Sequence, residues 1–134
     1  MRAFFIFPSQ DRLKKGWQFD QVFRTGRRES GALVRLLFMV SPDGQTRYGV
    51  AVGKQQGTSP LRSRGKRLLR ESLRRLRPWV KEGFWIVCMI KSNALGSGAK
   101  EVYQDMAKLF KRAGLLKSEW PGPDWFVDRR QGRR

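Results

Sequence analysis

The chain has 134 residues, with 29 Lys and Arg against 11 Asp and Glu, a net charge of +18, no His and one Cys. Such a length suits one domain whose single core buries roughly two thirds of the unfolded surface, and the charge far exceeds what solubility needs, so nucleic acid is the first expected partner. One cysteine excludes an internal disulfide, and without His or a cluster of acids little remains from which to build a protein-borne hydrolytic or metal site.

Residues 1–15 show no clear periodicity, and Pro8 interrupts their Phe-rich start, which predicts an N-terminal arm. The Phe4 to Phe7 cluster is too short for a signal-peptide core, and no apolar run approaches a membrane span. A cytoplasmic protein with no membrane partner is expected. From Trp17 to Thr25, Phe19, Val22 and Phe23 fall at i, i+3 and i+4 of a short amphipathic helix, with Gly26 expected as its left-handed stop. Aromatic residues at this spacing are usually core; the functional alternative is that Phe19 and Phe23 stack on unpaired RNA bases.

Residues 32–41 predict a strand buried on both faces, and Pro42, Asp43 and Gly44 a hairpin turn. Residues 47–54 alternate, with Tyr48, Val50 and Val52 on one face and Gly49, Ala51 and Gly53 on the other. The second face is nearly bare of side chains, so a bulky group can approach its backbone. Gly53 to Thr58 lacks the Gly-Lys-Ser/Thr ending of a nucleotide-hydrolysing loop. A helix N-terminus beside Lys54 is nevertheless a place for a phosphate.

The stretch 61–77, LRSRGKRLLRESLRRLR, carries eight Arg or Lys and one acid. At helical spacing Leu61, Leu68, Leu69, Leu73 and Leu76 share one face, while Lys66, Arg67, Arg70, Arg74 and Arg77 gather opposite. Ser59 is the expected N-cap, with Pro60 at the first helical position and Thr58 as the other candidate cap. A solvated cationic face is the plain reading. Pro78 and Gly83 then punctuate, and 84–90 reads as a central strand in which Cys88 is a small buried hydrophobe. After a loop at 92–98, Ala99, Val102, Tyr103, Met106, Ala107, Phe110 and Ala113 form the stripe of a core-packing helix ended by Gly114. Residues 117–134 have no period and predict a basic tail, ordered only if Trp120 and Trp125 find a surface.

This order of elements, with RLKKGWQFDQVFRTG at 12–26, RYGVAVGK at 47–54 and LRSRGKRLLRES at 61–72, resembles the protein subunit of bacterial ribonuclease P. The third segment is similar to that family's arginine-asparagine-arginine signature helix, with Ser63 where asparagine is usual, and Gln55 stands where a second lysine is common. The resemblance implies one RNA-binding domain over 16–116 with an α+β fold. That fold is a compact two-layer α/β sandwich, its mostly antiparallel four-stranded sheet packed with three helices and its basic helix making a left-handed βαβ crossover, against the general rule of hand. It implies a subunit of an endoribonuclease whose catalytic groups, with Mg²⁺, belong to a partner RNA that removes the 5′ leader of precursor tRNA. No catalytic residue and no dedicated metal site are then expected in this chain. Carried over by position, Lys54, Arg62, Ser63, Arg64, Lys66, Arg67 and Arg70 become contacts to the catalytic RNA. Phe19 and Phe23 become leader-cleft residues, with the bare glycine-alanine strand face as the cleft floor. The alternatives are a general RNA-binding or ribosome-associated domain without a role in cleavage, a DNA-reading helix, and a protein-only nuclease. An Arg-dense face without Asn or Gln disfavours the second, and the missing His and acid cluster disfavour the third.

Overall fold

In the computed structural model, residues 11–53 and 57–123 are described. Along them run α1 (Gly16–Thr25), β1 (Arg27–Ser30), β2 (Val34–Val40), β3 (Arg47–Ala51), α2 (Ser59–Leu76), β4 (Phe84–Ile90) and α3 (Ala99–Arg112), with single 3₁₀ turns at Arg77–Trp79 and Ser92–Ala94. The strands form one sheet in the order β1-β2-β4-β3. β1 with β2 and β2 with β4 are antiparallel, and β3 with β4 is parallel. The fold is therefore α+β with a mostly antiparallel sheet, and the basic helix α2 makes the crossover between the parallel pair.

The expected hairpin between the second and third strands is absent, because β4 lies between them. β4 is apolar along its whole length and buried on both faces, so it takes a central place, and the barer β3 is left at the edge. The turn itself exists, with Gly44 at φ +77°. It bridges over the start of β4, where the Ser41 amide donates to the Gly83 carbonyl (2.8 Å) and the Gly83 amide donates to Thr46 Oγ1 (2.7 Å). Within the turn Asp43 accepts from the Ser41 hydroxyl (2.7 Å), the Gln45 amide (3.1 Å) and Arg47 (3.2 Å). The Ser41 bond above all, then the Gln45 amide, pulls its carboxyl from the usual 3.8 down to about 2. Because the folded value is the lower one, this support is fully present above pH 3.8 and is lost as pH falls toward 2. A carboxyl NMR titration of Asp43 should show that low midpoint in the folded protein and a rise in Ser41→Ala; an unmoved midpoint would assign the effect to another group.

The remaining strand, β1, has no apolar alternation. As an exposed edge strand it needs only its ladder to β2, registered from Arg27 opposite Phe38 to Ser30 opposite Arg35. Gly26 leads into it and is extended, at φ −73°, rather than left-handed. Glycine is required there for room, since a Cβ would stand 2.5 Å from the Val22 carbonyl oxygen and 3.1 Å from that of Phe38.

Strand alternation splits the apolar residues into two clusters. Val34, Leu36, Phe38, Tyr48, Ile86, Cys88 and Ile90 meet α2 and α3, through Leu69, Leu73, Leu76, Val102, Met106 and Phe110, in the larger core. Burial in this core pushes the Cys88 thiol up, so it stays neutral. Leu37, Trp85 and Val87 point the other way and meet Val22 of α1 and Leu13. The segment before α1 is thus more than an arm at its end: Leu13 is buried, and its amide donates to the Tyr48 carbonyl at 2.9 Å. α3 is tied to the β1–β2 turn by Asp105, which accepts from the amides of Ala32, Leu33 and Val34 at 3.3, 2.8 and 2.9 Å. At the far end α3 closes at Gly114, the expected stop, which is left-handed at φ +77°. Trp120 then packs on the larger core with Lys111 over its ring, while Trp125 lies outside the described residues.

Candidate nucleic-acid interface

α2 begins with a cap at Thr58, whose Oγ1 accepts from the Leu61 amide at 3.4 Å. Ser59, the first expectation, is already inside the first turn. Gly65 lets the start of the helix sit close on the ends of β3 and β4, where a Cβ would meet Leu95, Ile90 and Val52 at 3.0 to 3.3 Å. The buried side of the helix is Gly65, Leu68, Leu69, Ser72, Leu73 and Leu76, and Leu61, expected among them, is 42% exposed.

The cations of α2 divide by what already holds them. Ser63, Lys66, Arg67 and Arg70 are exposed and lie along one side of two successive turns, a stripe about 10 Å long at 1.5 Å per residue. Arg62 is half-buried and its guanidinium donates to the Gly57 carbonyl (3.0 Å) and Ser59 Oγ (3.2 Å). Arg64, also half-buried, donates to the Ser97 carbonyl at 2.9 Å. Both therefore brace the loops beside the helix start. Arg74, expected on the open cationic face, is turned inward and only 9% exposed, bound to Glu71. The same carboxylate takes Arg75 at 3.1 Å, and Arg77 pairs with Asp11. Burial lowers the Arg77 pKa from its ordinary value. The stripe thus ends at Arg70, where the single acid of the helix closes it. Lys54 falls outside the described residues.

On the opposite face of the sheet, α1 crosses from β3 to β2. Gln18 fixes its start by accepting from the Lys14 and Lys15 amides at 2.8 and 3.0 Å. Phe19 lies over the bare strand face, as its glycine requires: a Cβ at Gly49 would stand 2.6 Å from the ring. The bulky group that the bare face admits is thus the protein's own side chain. Phe23 follows one turn later, with ring centroids 6.4 Å apart, and both rings are half-buried against the smaller core. They are neither fully core nor free, and they wall the strip of sheet that α1 leaves open. Its floor is the row Ala51, Met89 and Arg35, the first two packed at the margin of the smaller core and the third exposed. This row lies at the end of the sheet where β3 and β4 finish, the same end at which α2 starts. The cationic stripe and the aromatic-walled strip therefore open toward one end of the molecule from opposite faces.

The exposed Arg28 and Arg35 beside this strip were not legible as site residues. Arg35 carried the only signal, a lone cation inside a strand read as buried on both faces. Another aromatic feature lies at the other end of α1, where Trp17 is 59% exposed over the buried Trp85, centroids 6.0 Å apart. Among the described residues no three Cys, Asp or Glu side chains come together to hold a metal ion, and no helix is long and apolar enough to cross a membrane.

A family model described as Ribonuclease P matches residues 7–114. The ribonuclease P protein component of Symbiobacterium thermophilum is 37% identical over 109 residues, which cover 81% of this chain and 95% of that protein. That of Dictyoglomus turgidum is 30% identical over 115 residues, covering 84% and 97%. Among solved structures, the RNase P protein of Thermotoga maritima superposes with a TM-score of 0.67 at 25% identity, over 75% of this chain and 96% of that one. The Staphylococcus aureus RNase P protein, at 18% identity, shares the fold with a TM-score of 0.71 over 80% and 98%.

Proposed function

Since the chain belongs to the ribonuclease P protein component family, we propose that it binds the catalytic RNA of that enzyme through α2 and holds the 5′ leader of precursor tRNA in the strip walled by α1. The observation that carries this reading is the opening of a cationic stripe and an aromatic-walled strip toward the same end of one sheet. Lys66, Arg67 and Arg70 neutralise backbone phosphates of the catalytic RNA, Arg62 and Arg64 shape the helix start, and Ser63 adds a neutral hydroxyl between them. Lys54 belongs with this group by its position in the family's pattern. Phe19 and Phe23 offer ring edges and faces to unpaired bases, which stack without regard to sequence. Cleavage itself is the work of the RNA and its Mg²⁺; this chain supplies cations and a groove, and it acts in the cytoplasm.

The direct test is cleavage of precursor tRNA by the cognate catalytic RNA at low Mg²⁺, with and without the protein. Stimulation is expected, and its absence would leave a general RNA-binding role instead. The two phenylalanines are tested by dissociation constants of the reconstituted complex for leader-bearing and mature tRNA. Phe19→Ala should lower affinity for the leader-bearing form by about 1–3 kcal/mol per stacked base and leave the mature form unchanged. Phe23→Ala should combine a smaller leader-specific loss with a lower melting temperature. Equal losses for both tRNAs, tracking the melting temperature, would make both rings core and nothing more.

A further inference from the structure

The cations of the helical layer do not stop at α2. α2 and α3 both start beside the end of β4, where Arg64 of α2 donates to the Ser97 carbonyl just before α3. Both finish beside the start of β4, where Val80 bridges to Leu116 and the Lys81 amide donates to the Leu115 carbonyl at 2.8 Å. The two helices therefore run parallel and touch across the larger core, with axes about 8–10 Å apart. Counted from the contact of Arg64 with Ser97 at about 1.5 Å per residue, Lys108 and Lys111 stand beside the second half of α2. That is the half in which Arg74 is turned inward and the α2 stripe has ended.

α3 has two edges of different character. One faces β1: Arg112 pairs with Glu29 and donates to the Ser30 carbonyl, and Asp105 holds the β1–β2 turn. Gln104, Lys108 and Lys111 are exposed, at spacings of four and three residues, on the outward side between that edge and α2. Neither lysine is paired with an acid among the described residues, and neither is Lys117, exposed just past the helix. Lys111 lies over the half-buried Trp120 ring, 6.0 Å from its centroid, and the Trp120 amide donates to the Lys117 carbonyl at 3.1 Å. The helix dipole accounts for the cations of the last turn, Lys111 and Arg112. It falls off within that turn, and so leaves Lys108 and Lys117 unexplained.

We propose that the RNA lying on Lys66, Arg67 and Arg70 continues onto α3, where Lys108, Lys111 and Lys117 neutralise a second set of backbone phosphates. The two sets form one diagonal cationic track across the helical layer, about 18 Å along the helix axes from Lys66 to Lys111. An ammonium on a flexible stem acts as a point charge, which suits backbone contacts that carry no base information. The Trp120 ring fixes where Lys111 can stand. This rests on the α2 reading above and deepens it: the protein grips two stretches of the catalytic RNA backbone, one on each helix.

The test measures binding of the cognate catalytic RNA against salt for the parent protein and for Lys108→Gln combined with Lys111→Gln. The same pair changed to Arg, and Lys66→Ala with Arg67→Ala and Arg70→Ala, are measured beside it. A control, Lys15→Gln with Arg24→Gln, removes two exposed cations from α1 on the opposite face of the sheet. Each lost phosphate contact makes the slope shallower by about 0.7 to 0.9, so the Gln pair should lose about 1.4 to 1.8 of slope and about thirtyfold in affinity near 0.1 M salt. The Arg pair should keep both, melting temperatures should stay level, and the α1 control should show the parent slope. An unchanged slope in the Gln pair, with the α2 triple still shallower, would overturn the track and leave the α2 reading standing. Equal losses in the Gln pair and the α1 control would make the effect one of net charge. Losses that follow the melting temperature while the slope stays put would make it one of folding, and either result ends the track. If the α2 triple keeps the parent slope as well, the α2 reading falls with it.

Discussion

Replacing Lys66, Arg67 and Arg70 together with Ala should weaken binding of the catalytic RNA about a hundredfold near 0.1 M salt. Each phosphate neutralised contributes about 0.7 to 0.9 to the slope of log K against log salt, so losing three should make it shallower by about 2 to 3. The three side chains are exposed, and none is paired with an acid among the described residues. Folding should hardly change, because exposed substitutions away from a cap, core or ion pair are nearly neutral. Arg74→Ala is the internal comparison. Its guanidinium is buried and faces Glu71, so it should lower the melting temperature and leave the salt slope as it was. A triple variant with an unaltered slope would move the RNA off this helix, whatever its affinity.

Trp85 gives the other large effect, on stability. It is 1% exposed at the centre of the smaller core, between Met39 and Arg47 in the ladder and beneath Trp17. Trp85→Ala should cost about 3–5 kcal/mol through lost burial and the cavity left behind. Its indole N–H is buried and finds no acceptor among the described residues. A buried donor without a partner costs about 1–3 kcal/mol, a penalty that Phe does not carry. Trp85→Phe should therefore be far milder than its lost area suggests, with the smaller ring offset by removal of the orphan donor. Urea unfolding of the two variants, at an unchanged dependence on denaturant, measures both. If Phe proves as costly as Ala, the N–H has an acceptor in solution and the packing argument fails.

Sequence by itself determined the elements whose own side chains close a face. α2 was legible from the leucine spacing and the Thr58, Ser59, Pro60 start, α3 from its stripe and its glycine stop, and β4 from an uninterrupted apolar run. The bare face of β3 was legible too, because two small residues alternating with large ones already say that something lies close to the backbone. Tertiary structure decided what depends on partners distant in the chain. β1 has no pattern of its own and exists because β2 offers it a ladder. β4 enters between β2 and β3 because burial on two faces requires two strand neighbours, a demand that no local turn signal expresses. Arg74 has the spacing of an exposed cation and is buried, since Glu71 neutralises it and only the fold determines which way that pair turns. The half-buried state of Phe19 and Phe23 follows from the placement of α1 on the sheet, which their spacing along the helix leaves open. Arg35 shows the same division. That an arginine interrupts an apolar strand is written in the sequence, but that it stands exposed on the open side of the sheet, on the face that α1 only partly covers, is a consequence of how β2, β4 and α1 meet.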